Sequence, residues 1–213
     1  MTRGLATNRA LIRSALTGLP AFAASSSYAQ NKQVPPVQVE VHENEVESIW
    51  TRGYANCDYG FYANLPPGYI GHGTHSPNPN HGFLVGLPNP DTTAEVSRRD
   101  RRYIWVNAEY NSFELKSLKE AADWQVKISA SDKPEFKVGA SDLAKLDGLP
   151  AICFEFQYKE AERTIAEGHV VALRSGILYP IGLRTTPGAY LADRIQYQKI
   201  VNSFRGRRIH YCS

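Results

Sequence analysis

Between residues 136 and 185 the chain carries four runs of strand-forming residues, 136–143, 151–158, 164–173 and 177–185, with only a few residues between one run and the next. Links this short join antiparallel neighbours, because a parallel neighbour needs a crossover of about a dozen residues or more. The turn chemistry agrees. Asp147-Gly148 and Ser175-Gly176 are two-residue hairpin signals, and Glu160–Glu162 lies in the remaining link. This half of the chain is therefore an antiparallel meander, and the remaining segments must cover it.

Upstream, strands are expected at 59–65, ended by Pro66-Pro67-Gly68, at 83–87, ended by Pro88-Asn89-Pro90, and at 103–110. Ser117-Leu118-Lys119-Glu120 has the spacing of a capping box. The residues after it suit a helix burying Leu118, Ala121 or Ala122, and Trp124 or Val126. A second helix follows Pro187-Gly188, with Leu191, Ile195, Ile200, Val201 and Phe204 outlining its apolar side. The order βββ-α-ββββ-α predicts a single α+β domain over 58–205: an antiparallel β-sheet meander with two covering helices. Residues 30–57 read as an extended lead-in, in which Val37, Val39 and Val41 alternate as in a short edge strand. Residues 206–213 read as a tail.

The first residues carry Arg3, Arg9 and Arg13 and no acid, followed by an apolar stretch over 15–24 and a small polar run over 25–29. This is the layout of a secretory signal, with Ser27 and Ala29 at the cleavage pocket and Gln30 as the mature N-terminus. The apolar stretch is about half of what a membrane-spanning helix needs, and no other stretch is long enough, so no transmembrane segment is expected. The expected location is periplasmic or secreted. The whole chain has 24 Lys and Arg against 21 Asp and Glu. Losing the three signal arginines leaves 21 of each, so nucleic-acid binding, which needs a sustained basic surface, has no support. An oxidising compartment would let two of Cys57, Cys153 and Cys212 pair. Cys57–Cys212 is favoured because it ties together the ends of the folded part, although three pairings are open.

Three features resemble the PsbP-like family, named for an extrinsic photosystem II protein. The domain opens on Tyr59-Gly60-Phe61 and then Pro66-Pro67-Gly68-Tyr69. A middle helix leads into a meander containing Leu146-Asp147-Gly148. The chain closes on Ile200-Val201-Asn202-Ser203-Phe204. Tyr69 stands where that family has Trp, and a His-rich loop and three Cys are additions. The resemblance covers about residues 58–205 and implies the fold and a non-enzymatic accessory role. It carries over no functional residue and no photosystem binding.

Chemistry-bearing residues concentrate in the loop from Gly71 to Gly82, which holds His72, His75 and His81. Imidazoles this close could hold zinc or copper, with His72 and His75 as the first ligands; the loop equally reads as a surface connection. No nucleophile elbow, zinc-protease helix or phosphate loop occurs. A Cys153–His169 pair on neighbouring strands is conceivable, with nothing to orient a third group. Arg98, Arg99, Arg101 and Arg102 read as solvated charge or as a contact for an acidic partner. The function expected is therefore an exported, non-catalytic binding or accessory protein whose partner is another exported or envelope protein. The alternatives are a metal-dependent enzyme or metal-binding protein built on the His loop, and an inhibitor or immunity-type protein that caps another protein.

Overall fold

In the computed structural model, which describes residues 38–41, 48–73, 81–88 and 102–206, the described chain forms twelve strands and two helices. All of them fall within the unit Val34–Ser213. The strands before the first helix are β1 (Gln38–Val41), β2 (Ser48–Trp50), β3 (Gly53–Asn56), β4 (Phe61–Asn64), β5 (Gly71–Gly73), β6 (Gly82–Gly86), β7 (Tyr103–Asn107) and β8 (Glu109–Tyr110). Helix α1 (Leu118–Ala130) precedes β9 (Lys137–Leu146), β10 (Leu149–Glu160), β11 (Arg163–Arg174) and β12 (Ile177–Thr185), and α2 (Tyr190–Ser203) closes the series.

One ten-stranded sheet runs β1-β2-β5-β6-β7-β12-β11-β10-β9, with β8 also paired to β12, and every pairing is antiparallel. The meander β9–β12 is present as expected. Its turns use the left-handed residues their sequences offer, Asp147 (φ 50°) with Gly148 (φ 80°) and Ser175 (φ 50°) with Gly176 (φ 75°). Before α1 there are eight strands where three were expected together with a short edge strand at 37–41, which is β1. β1, β2 and β3 lie in the segment read as a lead-in, so pairing begins ahead of Asp58. The added strands β2, β3, β5 and β8 are two to four residues long, too short for an alternation pattern to stand out.

Ser117 caps α1 as its sequence predicts, its Oγ accepting from Glu120 N at 3.1 Å. Glu120 reaches back one residue further than a strict capping box, accepting from Lys116 N at 2.8 Å. Each helix takes one face of the sheet. Ala121 and Ala122 of α1 pack with Phe154, Phe156, Tyr158, Ile165, Val171 and Leu178. On the other face α2 and the β3–β4 hairpin cover Phe83, Val85, Ile104, Val106, Ile181 and Leu183. There the opening and closing motifs of the domain meet: Phe61 stacks on Phe204 with ring centroids 5.6 Å apart, and Tyr179 stands edge-on to both. The chain around Tyr62 and Arg205 is held by two backbone bonds, of 2.8 and 2.7 Å.

The apolar side expected for α2 holds at Ile200, Val201 and Phe204 and needs correction at Leu191 and Ile195. Its buried face is Asp193, Tyr197, Ile200 and Val201, while Leu191 is 76% exposed and Ile195 59%. Tyr197 donates to Ile181 O, and Asp193 is ion-paired to Arg102. These polar anchors set the rotation, which leaves Leu191 and Ile195 roughly 200° round from Asp193 and Tyr197. No helix among the described residues is long and apolar enough to cross a membrane.

Candidate functional site

Strand β11 presents Ile165, Glu167, His169, Val171 and Leu173 to the α1 side of the sheet, because alternate residues share a face. Two of these five are titratable, and both are buried, Glu167 at 5% exposure and His169 at 3%. Pairing register brings companions from five other strands. One cross-strand row reads His72, Leu84, Trp105, Gly182, His169, Phe154, and the next reads Gly86, Tyr103, Arg184, Glu167, Phe156. Gly182 shapes the first row. A Cβ there would lie 1.9 Å from Cζ2 of Trp105, so its absence lets the indole lie across β12 with its ring 4.9 Å from that of His169.

Helix α1 covers β10 and β11 and stops short of β7. Its last turns and the chain after it, including Ser129 and Lys133, face Tyr103, Trp105 and Arg184 across a cleft of about 850 Å³. Hydrogen bonds knit the wall. Glu167 accepts from the Tyr158 hydroxyl at 2.6 Å and contacts His169 Nε2 at 2.9 Å. Arg184 donates to Tyr158 Oη and to Glu160. Lys133 sits 3.8 Å from Glu167 and 4.3 Å from the Tyr158 ring centroid.

Burial pushes the Glu167 carboxyl up, but the bond from His169, the nearby Lys133 and the Tyr158 hydroxyl outweigh it, and Glu167 ends below the usual carboxylate range. Burial pushes the His169 imidazole down against the pull of Glu167. The pair is thus a carboxylate and a neutral imidazole. A carboxylate only accepts, so Nε2 carries the proton and Nδ1 is a bare acceptor. Burial also lowers Lys133, which Glu167 opposes, and raises Tyr158, as does the Glu167 charge.

The sequence-predicted site residues are placed apart. His72 is the cross-strand partner of Leu84, on the face of Trp105 and two strands from it. His81 turns to the other side, its Nδ1 3.1 Å from the Tyr59 hydroxyl and 3.0 Å from Ala108 O, with its ring against Tyr59. His75 lies outside the described residues, as does Cys212. Among the described residues no three His, Cys, Asp or Glu side chains gather as a metal set. Cys153 is a free thiol packed against the α2-side core and does not meet His169, because Cys153 pairs with Val170 and His169 with Phe154, on opposite faces. Arg102 is no solvated charge, being half-buried and paired with Asp193, and Arg98, Arg99 and Arg101 lie outside the described residues. The cleft itself escaped the sequence reading, although two titratable residues on the buried face of an apolar strand at Glu167 and His169 were a usable signal.

No protein-family model matches the chain, and no curated protein matches its sequence. Among solved structures, cyanobacterial PsbP (CyanoP) from Synechocystis sp. PCC 6803 is similar at 13% identity with a TM-score of 0.50, over 78% of this chain and 97% of that one. The Saccharomyces cerevisiae Ran-binding protein Mog1p is similar at 13% identity and a TM-score of 0.50, over 72% of this chain and 94% of that one. The architecture that the opening and closing aromatic motifs suggested is the PsbP-like fold, and the likeness is one of fold alone.

Proposed function

We propose that this chain is an exported, non-catalytic accessory protein that engages another exported or envelope component through the cleft beside α1. One observation carries this reading: the cleft is walled by a preorganised network in which Glu167 and Arg184 are already partnered. Glu167 spends its oxygens on Tyr158, His169 and Lys133, and Arg184 spends its donors on Tyr158 and Glu160. Groups committed to one another in this way hold a fixed shape and polarity for a ligand. Export is supported by the signal-like residues 1–29.

The test is a comparative capture from periplasmic and secreted fractions with residues 30–213 as bait. Tyr103→Ala, with an unchanged melting temperature, should lose the component that the parent retains, while a His72→Ala/His75→Ala variant should keep it. The opposite pattern sinks the cleft and returns the site to the His loop. Mass spectrometry of the exported protein should find Gln30 at its N-terminus; an intact Met1 chain confined to the cytoplasm would refute export.

A further inference from the structure

Two buried side-chain atoms among the described residues have no hydrogen-bond partner, Asn107 Oδ1 and His169 Nδ1. Both residues line the cleft. Both atoms are acceptors, the first an amide oxygen and the second the unprotonated nitrogen of a ring whose Nε2–H is given to Glu167. Buried acceptors are normally satisfied, because leaving one bare forfeits its hydration with no return. Whatever completes this site must therefore bring donors.

Two further features narrow the class. The walls include the half-buried rings of Tyr103 and Trp105, which offer apolar faces to a flat ligand. The charged side chains around the cleft are three of each sign, Lys133, Lys159 and Arg184 against Asp132, Glu160 and Glu167. Arg184 is bound to Glu160, and Lys133 lies beside Glu167. An anion or a cation would meet no net opposite charge here. Resting on the cleft as the binding site, we propose that its ligand is an uncharged, hydroxyl-rich ring compound, a neutral sugar of one to three units. Hydroxyl groups would donate to Asn107 and His169, and a ring face would lie on Trp105. A volume of about 850 Å³ falls in the range of small-molecule sites.

The experiment is a titration of residues 30–213 with cellobiose, maltose and chitobiose, followed by ¹H–¹⁵N spectra, with spermidine and citrate as charged comparisons. At least one disaccharide should give saturable shifts centred on the Trp105 indole N–H. Asn107→Leu should weaken that binding at least tenfold with a melting temperature equal to the parent's or higher, since the oxygen it removes is unsatisfied. The proposal is overturned if none of the three sugars shifts these resonances, if spermidine or citrate does so instead, or if Asn107→Leu binds as the parent does. Should the sugars fail while Tyr103→Ala still loses its captured component, the ligand class is wrong and the cleft stands. Should neither respond to substitutions in the cleft, both readings fall.

Discussion

Asp193→Ala should be among the most damaging single substitutions in this protein. Asp193 sits in the first turn of α2, and both of its oxygens lie against Nη1 of Arg102, at 3.0 and 2.9 Å. Thr185 donates to the same carboxylate, and Arg102 also reaches the carbonyl of Pro88. The two side chains are only 11% and 9% exposed, so water cannot replace a lost partner. Removing one member of a buried pair costs about 3–5 kcal/mol, because the other charge is stranded. Loss of a negative group from the helix N-terminus adds roughly 0.3–1 kcal/mol. For a domain of this size each kcal/mol lowers Tm by about 2–4 °C, which puts the expected fall at roughly 7–24 °C. Urea unfolding followed by circular dichroism measures it. The double variant Arg102→Met/Asp193→Leu should lose much less than the two single losses together, since it strands no charge. The reasoning fails if Asp193→Ala costs under about 1 kcal/mol, or if the two single losses simply add in the double.

Burial holds the folded His169 below its ordinary pKa of about 6.5, so the unfolded chain takes up the proton first. Stability should therefore be complete above about pH 6.5 and fall as the pH drops below it, by at most about 1.4 kcal/mol per unit; urea midpoints between pH 7.5 and 5 should show this slope in the parent and not in His169→Phe. Gly182→Ala should destabilise by about 1–3 kcal/mol and shift the tryptophan emission, because the new methyl occupies the place of the Trp105 indole; unchanged emission and stability would refute that packing. A non-reducing peptide map should join Cys57 to Cys212 and leave Cys153, a free thiol, alkylatable; a peptide joining Cys153 to either refutes the pairing. Zinc or copper bound by His72 and His75 should be lost in His72→Ala/His75→Ala with little change in apo stability, and metal analysis showing equal binding dismisses the loop as a metal site.

The long elements were legible because several local signals agreed on each. β12 begins and ends where the run of strand formers does, between Ser175-Gly176 and Pro187-Gly188, and α1 starts at its Ser117 cap. The short strands were not, since β5 and β2 owe their existence to pairing partners rather than to three residues of their own. The orientation of α2 was misread for a related reason: Leu191 and Ile195 are more apolar than Asp193, but Asp193 has Arg102, a partner 91 residues away that no local pattern reveals. The cleft is dispersed in the same way. Trp105, His169 and Arg184 come from three strands, and only the register that aligns Trp105, Gly182 and His169 turns them into one wall.

The stacking of Phe61 on Phe204 has a consequence for when this chain can fold. Phe204 and Ile200 are wholly buried, and Arg205 bonds back to Tyr62, so the α2-side core is closed by residues far along the chain from Phe61. A nascent chain that has reached only the end of β12 has its sheet but leaves Phe61, Tyr179 and Leu183 without their cover. Loop closure over more than 130 residues must come before these contacts repay it, which places the joining of these two motifs late in folding.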